Sequence, residues 1–226
     1  MTNGRSLVVK LQALRYAWPG GFTLALPELY LEQGETLLLL GESGAGKSTL
    51  LSLICGTLFP QQGQIEICGT LLSQLRPAAR DRFRAEHIGV IFQQFNLLPF
   101  ANVLENILLP LHFAPARRAR LDDPEATARA LCAQLKLPAD ILKAKAETLS
   151  VGQQQRVAVA RALIGAPPLV VADEPTSALD KANQTAFLDL LFAQLAETHA
   201  ALLMVSHDES LARRFDRTLR LEEIAA

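Results

Sequence analysis

The segment Gly41-Glu42-Ser43-Gly44-Ala45-Gly46-Lys47-Ser48 fits the spacing G-x-x-x-x-G-K-[ST] in full. Glycines at those positions let the backbone curl until successive N–H groups point at one anion, and Lys47 adds a positive charge that reaches the β- and γ-phosphates of a nucleotide. The Ser48 hydroxyl is a ligand for Mg2+, and a helix starting near Gly46 directs its positive end at the phosphates. Gly41, Ser43, Gly44, Ala45, Gly46, Lys47, Ser48 and Thr49 are therefore the candidate phosphate-binding residues. Farther along, Leu169-Val170-Val171-Ala172 ends in Asp173-Glu174. An apolar strand closing on two acids sets both carboxylates at its carboxyl end, where open α/β sheets bind ligands. Asp173 is then placed to hold hydrated Mg2+. Glu174, one residue on, points toward an attacking water as general base or water-orienter, a role worth about 10²–10⁴-fold.

These groups need a sheet to hold them. Leu7 to Leu11 and Phe22 to Leu26 read as strands about the turn Pro19-Gly20-Gly21. Thr36 to Leu40 is an apolar run of the kind buried on both faces. Ser48 to Leu58 has helical spacing, and Gly63 to Cys68 and Ile88 to Phe92 are further short strands. From Val103 to Leu149 the pattern is helical, punctuated by Pro110, Pro115, Pro124 and Pro138, with Ile107 and Leu108 expected in its core. Arg117-Arg118-Ala119-Arg120, beside Asp122 and Asp123, reads as a solvated loop. Strand Leu169 to Ala172, helix Gln184 to Thr198 and strand Ala201 to Val205 argue a parallel sheet.

The chain has 226 residues, enough for one large domain. Lys plus Arg is 22 and Asp plus Glu is 23, so a net charge of −1 gives no electrostatic reason to bind nucleic acid. No apolar run nears the roughly 20 residues of a membrane helix, and the first residues lack a signal-peptide core. Cys55, Cys68 and Cys132 are odd in number and read as buried free thiols of a reducing cytoplasm.

Further segments fall in an informative order: Phe92-Gln93, then Leu149-Ser150-Val151-Gly152-Gln153, then Asp173-Glu174-Pro175-Thr176-Ser177-Ala178-Leu179-Asp180, then Ser206-His207-Asp208. With the phosphate loop, they make the chain resemble the ATP-binding subunit of an ATP-binding cassette (ABC) transporter from about Leu7 to about Leu221. The resemblance implies an α/β fold: a P-loop NTPase (RecA-like) core, an antiparallel β subdomain and an inserted α-helical signature subdomain. The expected domain is 5–226, with 5–93 and 166–226 as catalytic lobe and about 94–165 as helical lobe. The implied cofactors are ATP and Mg2+, and the implied reaction is ATP hydrolysis. Lys47 then serves catalysis as well as binding. Gln93 reaches Mg2+ and the water, and His207 contacts the γ-phosphate and fixes Glu174. Ser150, Gly152 and Gln153 cap the nucleotide of a second subunit, whose half-site Asp180 helps shape, so two copies pair head to tail around two ATP molecules. An aromatic residue is expected on the adenine. Tyr16 and Trp18 are the candidates, and Trp18 is preferred because Trp-Pro-Gly-Gly stands where family members often show Tyr-Pro-x-Gly.

One departure stands out, because Val151 replaces the first of two glycines usual in the signature. A β-branched residue tolerates positive φ poorly, so Val151 slows hydrolysis if the position needs that conformation and is harmless if the backbone is ordinary. The stretch from Phe95 to Ile107 resembles the lipoprotein-release and macrolide-export branch. It implies docking there of an integral-membrane permease, with the chain peripheral on the cytoplasmic face of the inner membrane and working in export or mechanotransmission. A nucleotide-gated scaffold with little turnover, or the ATPase of an importer, is the alternative.

Overall fold

The computed structural model describes residues 6–19, 21–42, 44–177 and 179–224. The chain opens with β1 (Leu7–Ala17) and β2 (Thr23–Glu32), an antiparallel pair longer than the apolar runs alone suggest. Then come β3 (Thr36–Leu40) and α1 (Lys47–Ile54), which stops before Leu58 because Gly56 turns the chain at φ +67°. Strands β4 (Gln62–Ile67) and β5 (Thr70–Leu71) complete a four-stranded sheet in the order β2-β1-β4-β5.

Next are α2 (Pro77–His87), β6 (Ile88–Ile91), α3 (Val103–Leu108), α4 (Pro115–Ala119), α5 (Pro124–Gln134) and α6 (Val151–Leu163). The middle of the chain is thus several short helices joined by 3-10 turns. Pro77, Pro115 and Pro124 begin helices instead of breaking them, since a first helical residue needs no N–H donor. The chain ends with β7 (Leu169–Asp173), α7 (Lys181–Thr198), β8 (Ala201–Ser206), β9 (Arg217–Arg220) and α8 (Leu221–Ile224). Strands β6-β7-β8-β3-β9, in that order, make a second sheet whose pairings are all parallel.

Alternation along the parallel strands feeds two cores. Leu37, Leu39, Val171, Leu203 and Val205 pack toward α1 and the antiparallel sheet. Leu38, Leu40, Val170, Ala172, Leu202 and Met204 pack toward α3, α5, α6 and α7. Each Val, Leu or Met side chain among these contributes about 1.5–3 kcal/mol of apolar burial. Gly89 in β6 permits close layering, because a Cβ there would sit 2.2 Å from the Ala162 carbonyl oxygen of α6. Cys55 and Cys132 are buried and Cys68 half-buried, and all three are free. Burial pushes the Cys55 thiol up to about 12 and the other two up to about 11, so all remain neutral. No helix among the described residues is long and apolar enough to cross a membrane.

Within the Arg117–Arg120 cluster, Arg118 and Arg120 are exposed as expected, but Arg117 corrects the sequence reading. Arg117 is 1% exposed. Its Nε donates to the Ile164 carbonyl at 2.9 Å, Nη2 to Ala162 at 2.9 Å and Nη1 to Ala85 at 3.0 Å. The Glu86 carboxylate accepts the Ala116 and Arg117 backbone N–H groups at 2.8 and 2.7 Å. A charge run predicts solvent when its donors lack partners, but here the carbonyls ending α2 and α6 supply them. Burial lowers the guanidinium pKa to about 10, which leaves it charged.

Candidate active site

Parallel pairing gathers the carboxyl ends of β3, β6, β7 and β8 on one edge, and the candidate residues follow those ends. At the start of α1, Gly46 has φ +99°, and a Cβ there would lie 2.6 Å from Phe22 Cζ, so glycine is required twice over. Lys47 is buried. Its ammonium donates to the Gly41 carbonyl at 2.6 Å and the Glu42 carbonyl at 2.9 Å, and stands 3.4 Å from Glu174 Oε1. Ser48 Oγ donates to Asp173 Oδ2 at 3.3 Å. Burial raises the Asp173 pKa, and the Ser48 hydrogen bond partly offsets this. Ser43 lies outside the described residues.

Glu174 adopts φ +42°, a left-handed conformation that costs a non-glycine residue about 1–3 kcal/mol. Its N–H donates to the Val205 carbonyl at 3.1 Å, and its Oε2 meets His207 Nδ1 at 2.9 Å. The strained backbone thus aims the carboxylate between Lys47 and His207. Gln93 Nε2 donates to Ser177 Oγ at 3.4 Å. Trp18, Phe22, Gly44, Gly46, Lys47, Ser48, Thr49, Gln93, Asp173 and Glu174 line one cleft of about 430 Å³. Ser48 Oγ, Asp173 Oδ2 and the Gln93 side chain are few, hard oxygen donors. That suits Mg2+, which takes its remaining ligands from water and phosphate.

Trp18 Nε1 donates to Thr49 Oγ1 at 3.1 Å, and Tyr16 stands edge-on behind it with ring centroids 5.3 Å apart. The indole lines the cleft, whereas Tyr16 packs against the core. Base–aromatic stacking is worth about 1–3 kcal/mol. Trp18→Ala is accordingly expected to weaken nucleotide binding about 5- to 150-fold in a fluorescence titration with a labelled nucleotide, and Tyr16→Phe to leave it unchanged.

The signature residues occupy a different place. Ser150 caps α6 reciprocally: its Oγ accepts the Gln153 N–H at 3.3 Å, and Gln153 Oε1 accepts the Ser150 N–H at 3.0 Å. Val151 is the first helical residue and is not among the positive-φ positions, so its backbone is ordinary there; its side chain is 55% exposed. A Cβ at Gly152 would meet nothing within 4 Å. Asp180 caps α7 through the Asn183 N–H at 2.9 Å, and bonds to Asn183 hold its carboxyl below the usual range. Ser150, Val151, Gly152 and Asp180 line a second cleft, of about 400 Å³, that shares no residue with the first.

Three supporting residues went unseen in the sequence. Phe22 reads there as a strand start, but it lines the cleft and packs over Gly46. Glu222 accepts the Glu42 N–H at 2.8 Å and so anchors the phosphate loop. Gln184 donates to Asp208 at 3.0 Å and to Thr176 Oγ1 at 3.3 Å, bracing the loop that carries His207; no spacing signals either one. Between Phe95 and Ile107, Phe95, Val103 and Ile107 are buried core. Leu108 is partly buried against that core, and Asn96 lines a neighbouring groove of about 900 Å³ with Phe92 and Phe113.

Residues 25–177 match the family model described as ABC transporter. The chain belongs to the ABC transporter family. This cassette is 43% identical over 194 residues to the ABC transporter ATP-binding protein YbbA of Escherichia coli, covering 86% of this chain and 83% of that one. It is 41% identical over 220 residues to the lipoprotein-releasing system ATP-binding protein LolD of Novosphingobium aromaticivorans, covering 96% of each. It is also 39% identical over 196 residues to the macrolide export ATP-binding/permease protein MacB of Rhodopirellula baltica, covering 86% of this chain and 28% of that larger one. Among solved structures, a dimeric post-hydrolysis state of the ATP-binding cassette MJ0796 bound to ADP and Pi superposes with a TM-score of 0.80 at 33% identity, over 94% of this chain and 93% of that one. The ABC cassette is accordingly an ATP-binding subunit of a transporter and an ATPase, with the α/β P-loop fold.

Proposed function

We propose that two copies of this cassette close head to tail around two ATP molecules and drive an integral-membrane permease, in export or mechanical extraction across the inner membrane. The observation that carries the reading is the separation of two anion receptors on one chain. The cleft at Lys47 and the cleft at Ser150 share no residue, and the reading completes each with its counterpart from another copy. The reading assigns Lys47 to the phosphates, Trp18 to the adenine, and Ser48, Asp173 and Gln93 to Mg2+. Mg2+ held there neutralises charge on the phosphate oxygens. Glu174 takes the proton of the attacking water, oriented by His207 at 2.9 Å, and its strained backbone keeps the carboxylate in place before the reaction starts. Ser150, Gly152, Gln153 and Asp180 face the partner's nucleotide. Val151, with ordinary helical backbone, leaves that receptor intact. Its hydrolytic chemistry is then that of an active ATPase.

Support for the permease partner comes from the groove of about 900 Å³ between α2, β6 and the segment Leu109–Pro115, where Phe92 and Phe113 are exposed. An apolar groove of this kind suits one amphipathic helix. The names of the LolD and MacB relatives support the export assignment. The lobe 94–165 is read as the part that moves with the permease, and the chain as peripheral on the cytoplasmic face.

Ser150→Arg tests the sandwich by filling the second receptor while leaving the phosphate loop untouched. The variant is expected to bind ATP within about twofold of the parent. With Glu174→Gln also present, light scattering should show a single-copy mass under ATP and Mg2+, and hydrolysis without the second change should drop about a hundredfold. Pairing that survives Ser150→Arg overturns the reading.

A further inference from the structure

Helix α6, capped by Ser150, carries near its other end Arg161, which is 7% exposed. Nη1 of Arg161 donates to the Asn96 carbonyl at 2.6 Å, and Nη2 donates to the Phe95 carbonyl. Phe95 and Asn96 both lie in the left-handed region, at φ +58° and +48°. Asparagine tolerates that conformation, but an aromatic residue there is strained and must be held. The turn is closed locally by the Phe95 N–H on the Phe92 carbonyl at 3.0 Å and the Asn96 N–H on Gln94 at 2.6 Å. It therefore bends the chain immediately after Gln93, whose side chain lines the nucleotide cleft. A planar guanidinium grips two carbonyls at fixed spacing, which a lysine ammonium on its flexible stem does not.

We infer that Arg161 is a positioning residue for hydrolysis: by clamping the strained 95–96 turn onto α6, it sets how far Gln93 reaches into the cleft. The inference rests on the role given to Gln93 above. The clamp joins Gln93 to the helix whose first turn is the signature, so the two halves of the ATP chemistry share one rigid link. Arg161 and Asn96 also line the groove, and a segment seated there presses on the same turn.

The test is a double-mutant cycle in hydrolysis between Arg161→Lys and Gln93→Ala, with nucleotide titration and thermal melting run on each protein. Displacing Gln93 by about an ångström costs ten- to a hundredfold in turnover, so Arg161→Lys should lower kcat by about that factor with ATP binding unchanged. The double variant should be no slower than Gln93→Ala alone. Asn96→Val is exposed and leaves α6 intact, but a β-branched residue resists the left-handed turn; it should reproduce the kcat loss and covers the case in which Arg161→Lys fails to fold. Multiplicative losses in the cycle, with Gln93→Ala slow by itself, overturn the positioning role and leave the reading of Gln93 standing. A Gln93→Ala protein that hydrolyses normally overturns both.

Discussion

Glu174→Gln is expected to remove about 10²–10⁴-fold of ATP turnover, the usual worth of a general base, while leaving nucleotide binding in place. The amide keeps the shape of the carboxylate and can still meet His207 Nδ1, which stands 2.9 Å from Oε2, but it cannot accept a proton from water. Lys47 loses its ion pair at 3.4 Å and keeps its two carbonyl partners, Gly41 and Glu42, so the phosphate loop retains its form. Phosphate-release kinetics and ATP titration on one preparation separate the two effects. Turnover above a tenth of the parent's would move the base elsewhere, with His207 the next group to examine.

The second large effect is on stability. Arg117→Met keeps the length of the side chain and removes every side-chain donor, leaving the buried Ile164, Ala162 and Ala85 carbonyls without their guanidinium. Breaking one side of a buried network of this kind costs about 3–5 kcal/mol, or about 6–20 °C in Tm for a chain of this size. Arg118, its neighbour in the same basic run, is exposed, and among the described residues its side chain bonds only the Leu121 carbonyl, so Arg118→Ala should stay within about 0.5 kcal/mol. Denaturant melts of the pair decide the matter: equal midpoints would show that the buried network contributes nothing.

That contrast also shows where sequence reading stops. Buried parallel strands advertise themselves, because Thr36–Leu40 and Leu169–Ala172 are apolar on both faces and end on loops of distinctive chemistry. The phosphate loop, the acidic pair and the histidine after β8 could therefore be placed before any coordinates. Helix α2 could not, since Pro-Ala-Ala-Arg-Asp-Arg-Phe-Arg-Ala-Glu-His has almost no apolar face and buries little but Glu86. Strand β9, Arg-Thr-Leu-Arg, is an edge strand too polar to signal itself. Phe95 looked like docking surface because apolar residues in a loop read the same whether they face a partner or the core, whereas Ile107, expected in the core, is buried there. Arg117 looked solvated because its partners are backbone carbonyls, which carry no sequence signature. Nor does a one-letter string show that Glu174 is held at positive φ, although that strain aims the carboxylate.

Leu37 and Leu38 look in opposite directions from one strand, so neither layer owns the central sheet. Stripping away the helices on one side would wet Leu38, Val170 and Met204, and the other layer would then stand on strands with nothing behind them. Heating should therefore take the molecule apart in a single cooperative step, and the helical segment, expressed by itself, would present half a core in search of its missing wall.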